Sequence, residues 1–344
     1  MKQHLNTLFV FTKGAYLSKE GQAVVVKVDR EQRLRVPVHH LGGIVCFGAV
    51  GASPQLMALC AEEGVSISFL SQNGRLRARV VGFTPGNVLL RREQYRQADD
   101  SSASRELAGP MVAAKIANQR TVLLRGQRES KNKEASLAFA IQQLAQSART
   151  ASSARQCPSL DELRGVEGMA ARAYFGTFNS LLTVAKESFS MKERSRRPPL
   201  DRLNALLSFL YAMLAHDARS ACEACGLDPA VGFLHRDRPG RPSLALDLME
   251  ELRPVLCDRL ALTLINRRQV SPAGFDITES GAVRMKENTR KAVVEAYQKR
   301  KKDELVHPYL DERVSLGLAV HLQARLLARR LRGEIDSYPP FIWR

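Results

Sequence analysis

Short apolar runs separated by turn residues fill the first 84 residues of the chain. Runs rich in β-branched and aromatic residues, the pattern of β-strands, lie at residues 7–11, 23–28, 34–38, 44–47, 65–70 and 75–81. Ser53 and Pro54 predict the start of one helix, since Ser caps a helix and Pro fits its first turn. Asn73-Gly74 predicts a hairpin between the last two runs. Residues 1–84 are therefore predicted to form a small β-rich N-terminal domain.

Beyond this region the spacing of apolar positions changes from two residues to three or four, which is the helical period. We expect residues 85–96 to be a linker and residues 97–336 to be a larger α-helical domain. Breaks are expected near Gly109-Pro110 and Pro198-Pro199, because proline interrupts helices. Residues 337–344 are predicted to be an irregular tail. The fold class predicted is thus α+β with two domains.

The net charge of the chain narrows the classes of ligand that it could bind. Lys and Arg number 52 against 35 Asp and Glu, a net charge of +17 that favours binding to nucleic acid. Basic residues concentrate at positions 192–197 and 284–302, although a solvated face is the simpler explanation of either run alone. We find no apolar run long enough to span a membrane and no secretory signal at the start, and expect a cytoplasmic protein. Phosphate-loop and dinucleotide-binding motifs are absent from the sequence.

Four polar residues of the helical part could support metal-dependent chemistry. Glu167 lies between Gly165 and Gly168, and His235 lies in a loop with three arginines. Asp247 and Glu250 are three residues apart on one helix face that also carries leucines. Carboxylates with one imidazole suit a divalent ion acting on a phosphodiester. Each has an ordinary alternative: surface charges for the acidic residues, a structural hydrogen bond for the histidine.

Several motifs in order resemble one known family. The motifs are residues 163–168 with Ala171, Tyr174 and Phe175; residues 196–208 with Tyr211; residues 226–235; and residues 246–250. Over nearly its whole length the chain resembles the universal CRISPR-associated adaptation nuclease, the integrase subunit of spacer acquisition. Residues 5–10 and 48–54 are similar to the branch that serves the I-C subtype.

This resemblance implies an N-terminal domain that dimerises and a helical catalytic domain. It implies Mn²⁺ or Mg²⁺ held by Glu167, His235 and Glu250, with Asp247 close by and Glu251 as an alternative ligand. Family members join 3′-hydroxyl ends of short double-stranded DNA fragments to the repeat of a CRISPR array. They work as two homodimers bridged by a dimer of a small second adaptation protein.

Arginines close in sequence to the predicted ligands are expected to hold DNA phosphates, and the basic run at residues 299–302 is a separate candidate for which a solvated helix end is the alternative. This set comprises Arg196, Arg197, Arg236, Arg238, Arg241, Lys299 and Arg300. Two other functions remain open from the sequence. One is a non-catalytic architectural DNA-binding protein, and the other is a general metal-dependent nuclease for branched DNA in repair.

Overall fold

The structure, a computed structural model, describes residues 6–71, 76–80, 82, 87–129, 135–153 and 155–343. The chain forms two compact units. We call Met1–Pro85 with Glu287–Gln298 the N-terminal unit, and Gly86–Lys286 with Lys299–Arg344 the helical unit. The predicted α+β class is confirmed. Residues 287–298, which the sequence prediction placed in the second domain, belong here to the N-terminal unit.

The described residues between 6 and 82 of the N-terminal unit form two four-stranded sheets and one helix, with strand orders β1-β5-β7-β8 and β4-β3-β2-β6, and residues 287–298 add most of the later helix Glu287–Lys301. The strands and helix between residues 6 and 82 are β1 Asn6–Val10, β2 Tyr16–Glu20, β3 Ala23–Val28, β4 Glu31–Pro37, β5 Leu41–Phe47, β6 Gly51–Ala52, α1 Pro54–Glu62, β7 Ser66–Leu70 and β8 Leu76–Val80. Strands β1, β5 and β7 are parallel, and β8 is antiparallel to β7. Leu17, Ile44 and Leu56 are fully buried in one core shared by both sheets and α1.

The predicted start of α1 is confirmed, since the Leu56 amide donates to Ser53 Oγ at 3.2 Å. The antiparallel pairing of β7 with β8 agrees with the predicted hairpin, whose Asn73-Gly74 turn lies outside the described residues. Strand β2 was not predicted, because Tyr16–Glu20 contains too few apolar residues to stand out from its surroundings.

Helices dominate the rest of the chain. They are α2 Val88–Asp99, α3 Ser101–Glu129, α4 Ala135–Ser152, α5 Leu160–Gly176, α6 Lys186–Phe189, α7 Arg202–Ala224, α8 Ser243–Leu252, α9 Arg259–Asn266, α10 Glu287–Lys301 and α11 Leu316–Leu331. A π-helical segment, Arg253–Asp258, joins α8 to α9. Two short antiparallel hairpins, absent from our prediction, pair β9 Phe275–Ile277 with β10 Val283–Met285 and β11 Glu304–Val306 with β12 Arg313–Ser315. No described helix is both long and apolar enough to cross a membrane.

Two further details of the helical unit differ from the sequence prediction. Much of the proposed linker at 85–96 belongs to α2, where the buried Gln94 side chain donates to the Asp228 and Val231 carbonyls, both at 2.8 Å. The predicted break at Gly109-Pro110 is wrong, because α3 continues through Pro110. The free energy gained when α3 packs against α4, α5 and α8 exceeds the cost of the one backbone hydrogen bond that proline removes.

Candidate active site

Helix α5 carries Glu167 on an uncovered face. Its start is set by Ser159, whose Oγ accepts the Glu162 amide at 3.2 Å, as the sequence predicts. The Glu167 side chain is 28% exposed, so its carboxylate is accessible. A methyl group added at Gly165 or Gly168 would meet no atom within 4 Å. The glycines flanking Glu167 therefore leave room beside its carboxylate.

Asp247 on α8 fixes the loop that carries His235. Its carboxylate accepts the amides of Phe233 at 2.7 Å, Leu234 at 3.0 Å and His235 at 3.1 Å. The same carboxylate accepts a fourth bond from His235 Nδ1 at 2.5 Å. A carboxylate has about four lone-pair sites, so Asp247 is saturated by these bonds. With Nδ1 occupied, Nε2 is the ring nitrogen of His235 left for a ligand.

Tight packing holds this arrangement in place. Gly232 precedes the loop, and a Cβ there would lie 2.7 Å from Asp247 Oδ2. From α5, the Arg164 guanidinium donates to the Leu234 carbonyl from Nε at 2.9 Å and from Nη2 at 2.7 Å. Arg164 therefore ties the helix of Glu167 to the loop of His235. Sequence analysis included Arg164 in the motif at residues 163–168 but gave it no role, since Arg164 alone resembles any surface arginine.

Lys115 of α3 joins the two acidic residues that sequence analysis had predicted as ligands. Its ammonium is ion-paired with Glu167 and lies 2.7 Å from Glu250 Oε2. Only 6% of the Lys115 side chain is exposed. Sequence analysis missed this residue, although one signal was available: Lys115 shares its helix face with Met111 and Val112, which are buried. A lysine on an apolar face needs an acidic partner.

Glu250 is a buried carboxylate held by cations. Its side chain is 6% exposed, and Arg253 Nη1 donates to Oε1 at 2.6 Å. Burial alone would raise the pKa of Glu250, but the Arg253 guanidinium and the Lys115 ammonium outweigh it, with a smaller contribution from His235. The pKa is therefore lowered and Glu250 is charged at neutral pH.

The donor set suits a divalent cation, although its members are not gathered around one point. Among the described residues no three His, Cys, Asp or Glu side chains lie close enough to hold a metal ion. The Lys115 ammonium instead lies against Glu167 and Glu250. Glu250 Oε2 is buried and makes no well-directed hydrogen bond, despite the nearby ammonium. Two carboxylates and an imidazole are ligands that Mn²⁺ and Mg²⁺ accept, so the residue types fit.

Glu251 faces the opposite way, toward the tail. Its carboxylate accepts the Phe341 amide at 2.6 Å, the Tyr338 hydroxyl at 2.8 Å and Gln323 Nε2 at 2.9 Å. The side chain is fully buried, and burial raises the pKa of Glu251 to about 7. These partners leave Glu250 as the residue of this pair that faces Lys115. The tail is irregular, as predicted, but Tyr338 and Phe341 are buried.

His307 completes the packing around the tail. It is fully buried, its Nε2 lies 3.1 Å from Gln323 Oε1, and its ring meets Phe341 edge-on. Nδ1 accepts the amides of Tyr309 and Leu310, both at 3.3 Å. These contacts select the neutral imidazole with its proton on Nε2. Burial lowers the pKa of His307.

A buried polar network lies behind Glu250. Asp258 accepts hydroxyl hydrogen bonds from Tyr174 at 3.0 Å and Tyr211 at 2.5 Å. The Arg253 guanidinium lies over the Tyr211 ring, 4.1 Å from its centroid. Arg253 thus contacts both Glu250 and an aromatic ring that is itself anchored. These contacts fix the position from which Arg253 holds Glu250.

The predicted DNA-binding arginines fall into different surroundings. Arg196, Arg197 and Arg238 are exposed. Burial lowers the pKa of Arg241, and the charges of Arg238, Arg196 and Arg197 lower it further, which shows that these four are neighbours. Arg236 differs from these four arginines because its guanidinium is ion-paired with Asp161 at 2.8 Å.

The two basic residues predicted near the end of α10 have other neighbours. Lys299 is exposed, and Arg300 pairs with Asp303 at 2.7 Å. Arg300 acts electrostatically on Arg125 and Arg259, rather than belonging to the four arginines around Arg241. The structure thus brings four of the predicted cations together around Arg241 and places Arg300 apart from them.

Comparison with known proteins connects this site to one family. Residues 8–299 match the family model described as "CRISPR associated protein Cas1". The chain is 51% identical to CRISPR-associated endonuclease Cas1 1 of Chlorobaculum tepidum and 50% identical to CRISPR-associated endonuclease Cas1 2 of Rhodospirillum rubrum, each over 100% of both chains. Relatives this similar, named as endonucleases, disfavour the architectural alternative.

Solved structures share the fold. A CAS1 protein from Thermotoga maritima has a TM-score of 0.80 at 21% identity, covering 98% of this chain and 100% of that one. A casposase bound to its integration product has a TM-score of 0.83 at 21% identity, covering 99% and 95%. A Cas6-RT-Cas1–Cas2 complex has a TM-score of 0.81 at 23% identity, covering 99% of this chain and 36% of that chain. The family model and the relatives about 50% identical show that this chain belongs to the Cas1 family and is an endonuclease of that family.

Proposed function

We propose that this protein joins the 3′-hydroxyl ends of short double-stranded DNA fragments to the repeat of a CRISPR array. The reaction is a transesterification in which the 3′-oxygen attacks a phosphodiester of the repeat and displaces the 3′-oxygen of the adjoining repeat nucleotide. One P–O bond forms as another breaks, and the proton lost by the attacking hydroxyl is taken up, by way of solvent, by the departing oxygen. Family membership supports this, and so does the shared fold of a casposase that was solved with its integration product. A general repair nuclease is less well supported, because the relatives are named as CRISPR-associated proteins.

The observation that carries the proposal is the convergence of two carboxylates on one cation. Glu167 of α5 and Glu250 of α8, distant in sequence, both contact the Lys115 ammonium, and His235 is near enough to act on the charge of Glu250. A site built to hold positive charge between carboxylates, beside a free imidazole nitrogen, suits phosphoryl transfer.

Glu167, His235 and Glu250 would hold Mn²⁺ or Mg²⁺. When bound, such an ion supplies charge stabilisation for the non-bridging and leaving oxygens of the phosphodiester. Asp247 acts as a positioning residue, because its four hydrogen bonds aim His235 Nε2 and leave it no free lone pair. Arg164 keeps the loop aligned with α5.

The remaining basic residues would bind the DNA backbone. Arg196, Arg197, Arg238 and Arg241 lie together, and three of them are exposed, so they suit phosphate contact. Arg236 is expected to contribute less, because Asp161 already neutralises it. Replacing Arg238 with Ala should lower the slope of log affinity against log salt by about the contribution of one phosphate contact. Arg236→Ala should change this slope less.

We further propose that the protein works as a homodimer through its N-terminal unit, in the prokaryotic cytoplasm. Two dimers would be bridged by a dimer of a small second adaptation protein, and a solved complex containing Cas1 and Cas2 supports such a partner. Residues 5–10 and 48–54 place the chain, in this proposal, in the branch of the I-C subtype.

A strand-transfer assay tests the proposal. Purified protein is incubated with Mn²⁺ or EDTA, a short duplex with 3′-hydroxyl ends and a supercoiled plasmid carrying a repeat. We expect metal-dependent joining that disappears in Glu167→Gln and His235→Ala but persists in Glu162→Gln, a control on the exposed side of α5. DNA binding without any metal-dependent product, with the small partner present, would contradict the proposal.

A further inference from the structure

Two arginines of the helical unit lie over the indole of Trp343, and a third arginine acts electrostatically on both of them. They come from distant parts of the chain: Arg125 from α3, Arg259 from the start of α9 and Arg300 from α10. The Arg125 Cζ atom lies 3.7 Å from the indole centroid, and the Arg259 Cζ atom lies 5.0 Å from it. We call these four residues the Trp343 cluster.

The indole is held firmly in this position. The Trp343 amide donates to Asn118 Oδ1 at 2.8 Å, and Asn118 Nδ2 donates to the Phe341 carbonyl at 2.8 Å. Asn118 is fully buried in α3. The tail therefore presents Trp343 as a fixed platform on which two guanidinium groups stack. Fixed stacking prevents these flexible cations from spreading apart in water, as neighbouring like charges otherwise do.

Positive charge in the Trp343 cluster exceeds the negative charge around it. Among the described residues, the charges that act on Arg125 and Arg259, together with the Asp303 partner of Arg300, are four arginines (the three of the cluster and Arg128) and two acids, Glu129 and Asp303, a balance of 4 − 2 = +2. Asp303 pairs only with Arg300 in this group, and its side chain is 50% exposed. Repulsion between the cations adds to burial in lowering the pKa of both Arg125 and Arg259.

Hydrogen bonding within the cluster is also incomplete. Arg259 Nη1 and Arg300 Nε are buried, and neither has a hydrogen-bond acceptor among the described residues. An indole face attracts a cation but offers no lone pair to an N–H group. The three arginines are half-buried as whole residues, and 26% of the Arg300 side chain is exposed. The described residues thus leave the cluster short of both negative charge and hydrogen-bond acceptors.

We propose that the Trp343 cluster binds backbone phosphates of DNA, at a place apart from the reacting phosphodiester. Guanidinium groups match phosphate oxygens in geometry and charge, and a phosphodiester supplies the negative charge that the cluster lacks. This inference rests on the proposed function, which makes DNA the ligand.

The distance from the active site follows from helix geometry. Lys115 and Arg125 lie ten residues apart on α3, which corresponds to about 15 Å along the helix. Phosphates of one strand follow each other every ~3.4 Å along a B-form duplex, so the cluster would engage DNA about four phosphates from the reaction. Loss of this contact should weaken binding and leave the chemistry of bound DNA unchanged.

Salt dependence of binding tests the proposal. The affinity of Arg259→Gln is measured between 50 and 200 mM salt on two duplexes, a short fragment with 3′-hydroxyl ends and a fragment carrying the repeat. The slope of log affinity against log salt should fall by about 0.9, so the loss of affinity over this range should be about 3.5-fold smaller than in the wild type. Arg329→Gln is the matched control, because this arginine is also half-buried and pairs with Glu334 at 3.1 Å.

The two duplexes identify which DNA the cluster holds. A smaller slope on one duplex assigns that DNA, and a smaller slope on both assigns a backbone shared by the two. Arg300→Gln serves as a second variant if Arg259→Gln does not fold. Unchanged slopes on both duplexes, in a folded variant, overturn the proposal. The cluster would then serve only to hold the tail in place.

A direct optical measurement accompanies this test. Trp343 is the single tryptophan of the chain, so its fluorescence should change when a duplex that the cluster holds is bound. Glu167→Gln separates the two proposals, since it should abolish joining without altering the slope. If Glu167→Gln still joins DNA while the Arg259→Gln slope falls, the proposed function fails and the Trp343 cluster stands. If Glu167→Gln is inactive and the Arg259→Gln slope is unchanged, the proposed function stands and the proposal for the Trp343 cluster fails.

Discussion

Replacing Lys115 with Met removes the cation between two carboxylates and retains an unbranched side chain of similar length. The wild-type ammonium is 6% exposed and contacts Glu167 and Glu250. Removing one partner of a buried ion pair typically costs about 3–5 kcal/mol, because it leaves an uncompensated charge. Arg253 still holds Glu250 at 2.6 Å, and Glu167 reaches water at 28% exposure. We therefore expect the lower end, a loss of about 3 kcal/mol in the free energy of unfolding.

Urea unfolding in EDTA measures this loss. The fluorescence of Trp343 follows the helical unit, because that unit contains the only tryptophan of the chain. At about 2–4 °C per kcal/mol for a domain of this size, the melting temperature should fall by about 6–12 °C. Lys302→Met is the control, since Lys302 is exposed in the same unit. A loss below about 1 kcal/mol, as expected of a surface pair, would refute the reasoning.

Divalent metal provides a second test of the same residue. If the ammonium occupies the position where Glu167 and Glu250 would hold a metal, the two cations compete for the carboxylates. Mn²⁺ should then raise the unfolding midpoint of Lys115→Met more than that of the wild type, since ligand binding to the folded state stabilises it. Equal shifts would show that Lys115 and the metal do not compete.

Three further predictions concern other residues. Gly232→Ala places a Cβ 2.7 Å from Asp247 Oδ2 and should displace His235, with a loss of about 100-fold in the rate of strand transfer. Gly165→Ala meets open space on α5 and should raise the free energy of unfolding by about 0.5–1 kcal/mol, measured by urea titration; any loss of stability contradicts it. The lowered pKa of His307 means that the unfolded chain takes up its proton near pH ~6.5 while the folded chain does not, so stability should fall as the pH drops below that value. His307→Gln should reduce this slope in melting curves between pH 5 and pH 8, and an unchanged slope would assign it to other groups.

Sequence patterns predicted elements whose signals are local. Ser53 and Ser159 cap their helices as predicted, since a cap depends on residues within one turn. The leucines beside Asp247 also indicated a buried acidic face, and Leu244 and Leu248 are buried. Pro110 shows the opposite case, because tertiary packing kept α3 continuous where the local rule predicted a break.

The parts of the site that escaped prediction depend on contacts between distant segments. Lys115 lies 52 residues before Glu167, so no local pattern pairs them. Helical spacing placed Asp247 and Glu250 on one helix, but it could not show that Asp247 faces the His235 loop while Glu250 faces Lys115. Those roles are set by which segment packs against each side of α8.

The π-helical segment that follows Glu250 constrains how this gene can change in length. Arg253 at its start contacts Glu250, and Asp258 at its end meets Tyr174 and Tyr211. A π-helix spaces its hydrogen bonds five residues apart, so deletion of a single residue from the segment would allow ordinary α-helical bonding. The helix would survive, yet Asp258 would rotate by about 100° away from both tyrosines. Selection at this segment should therefore act against insertions and deletions more strongly than against apolar exchanges.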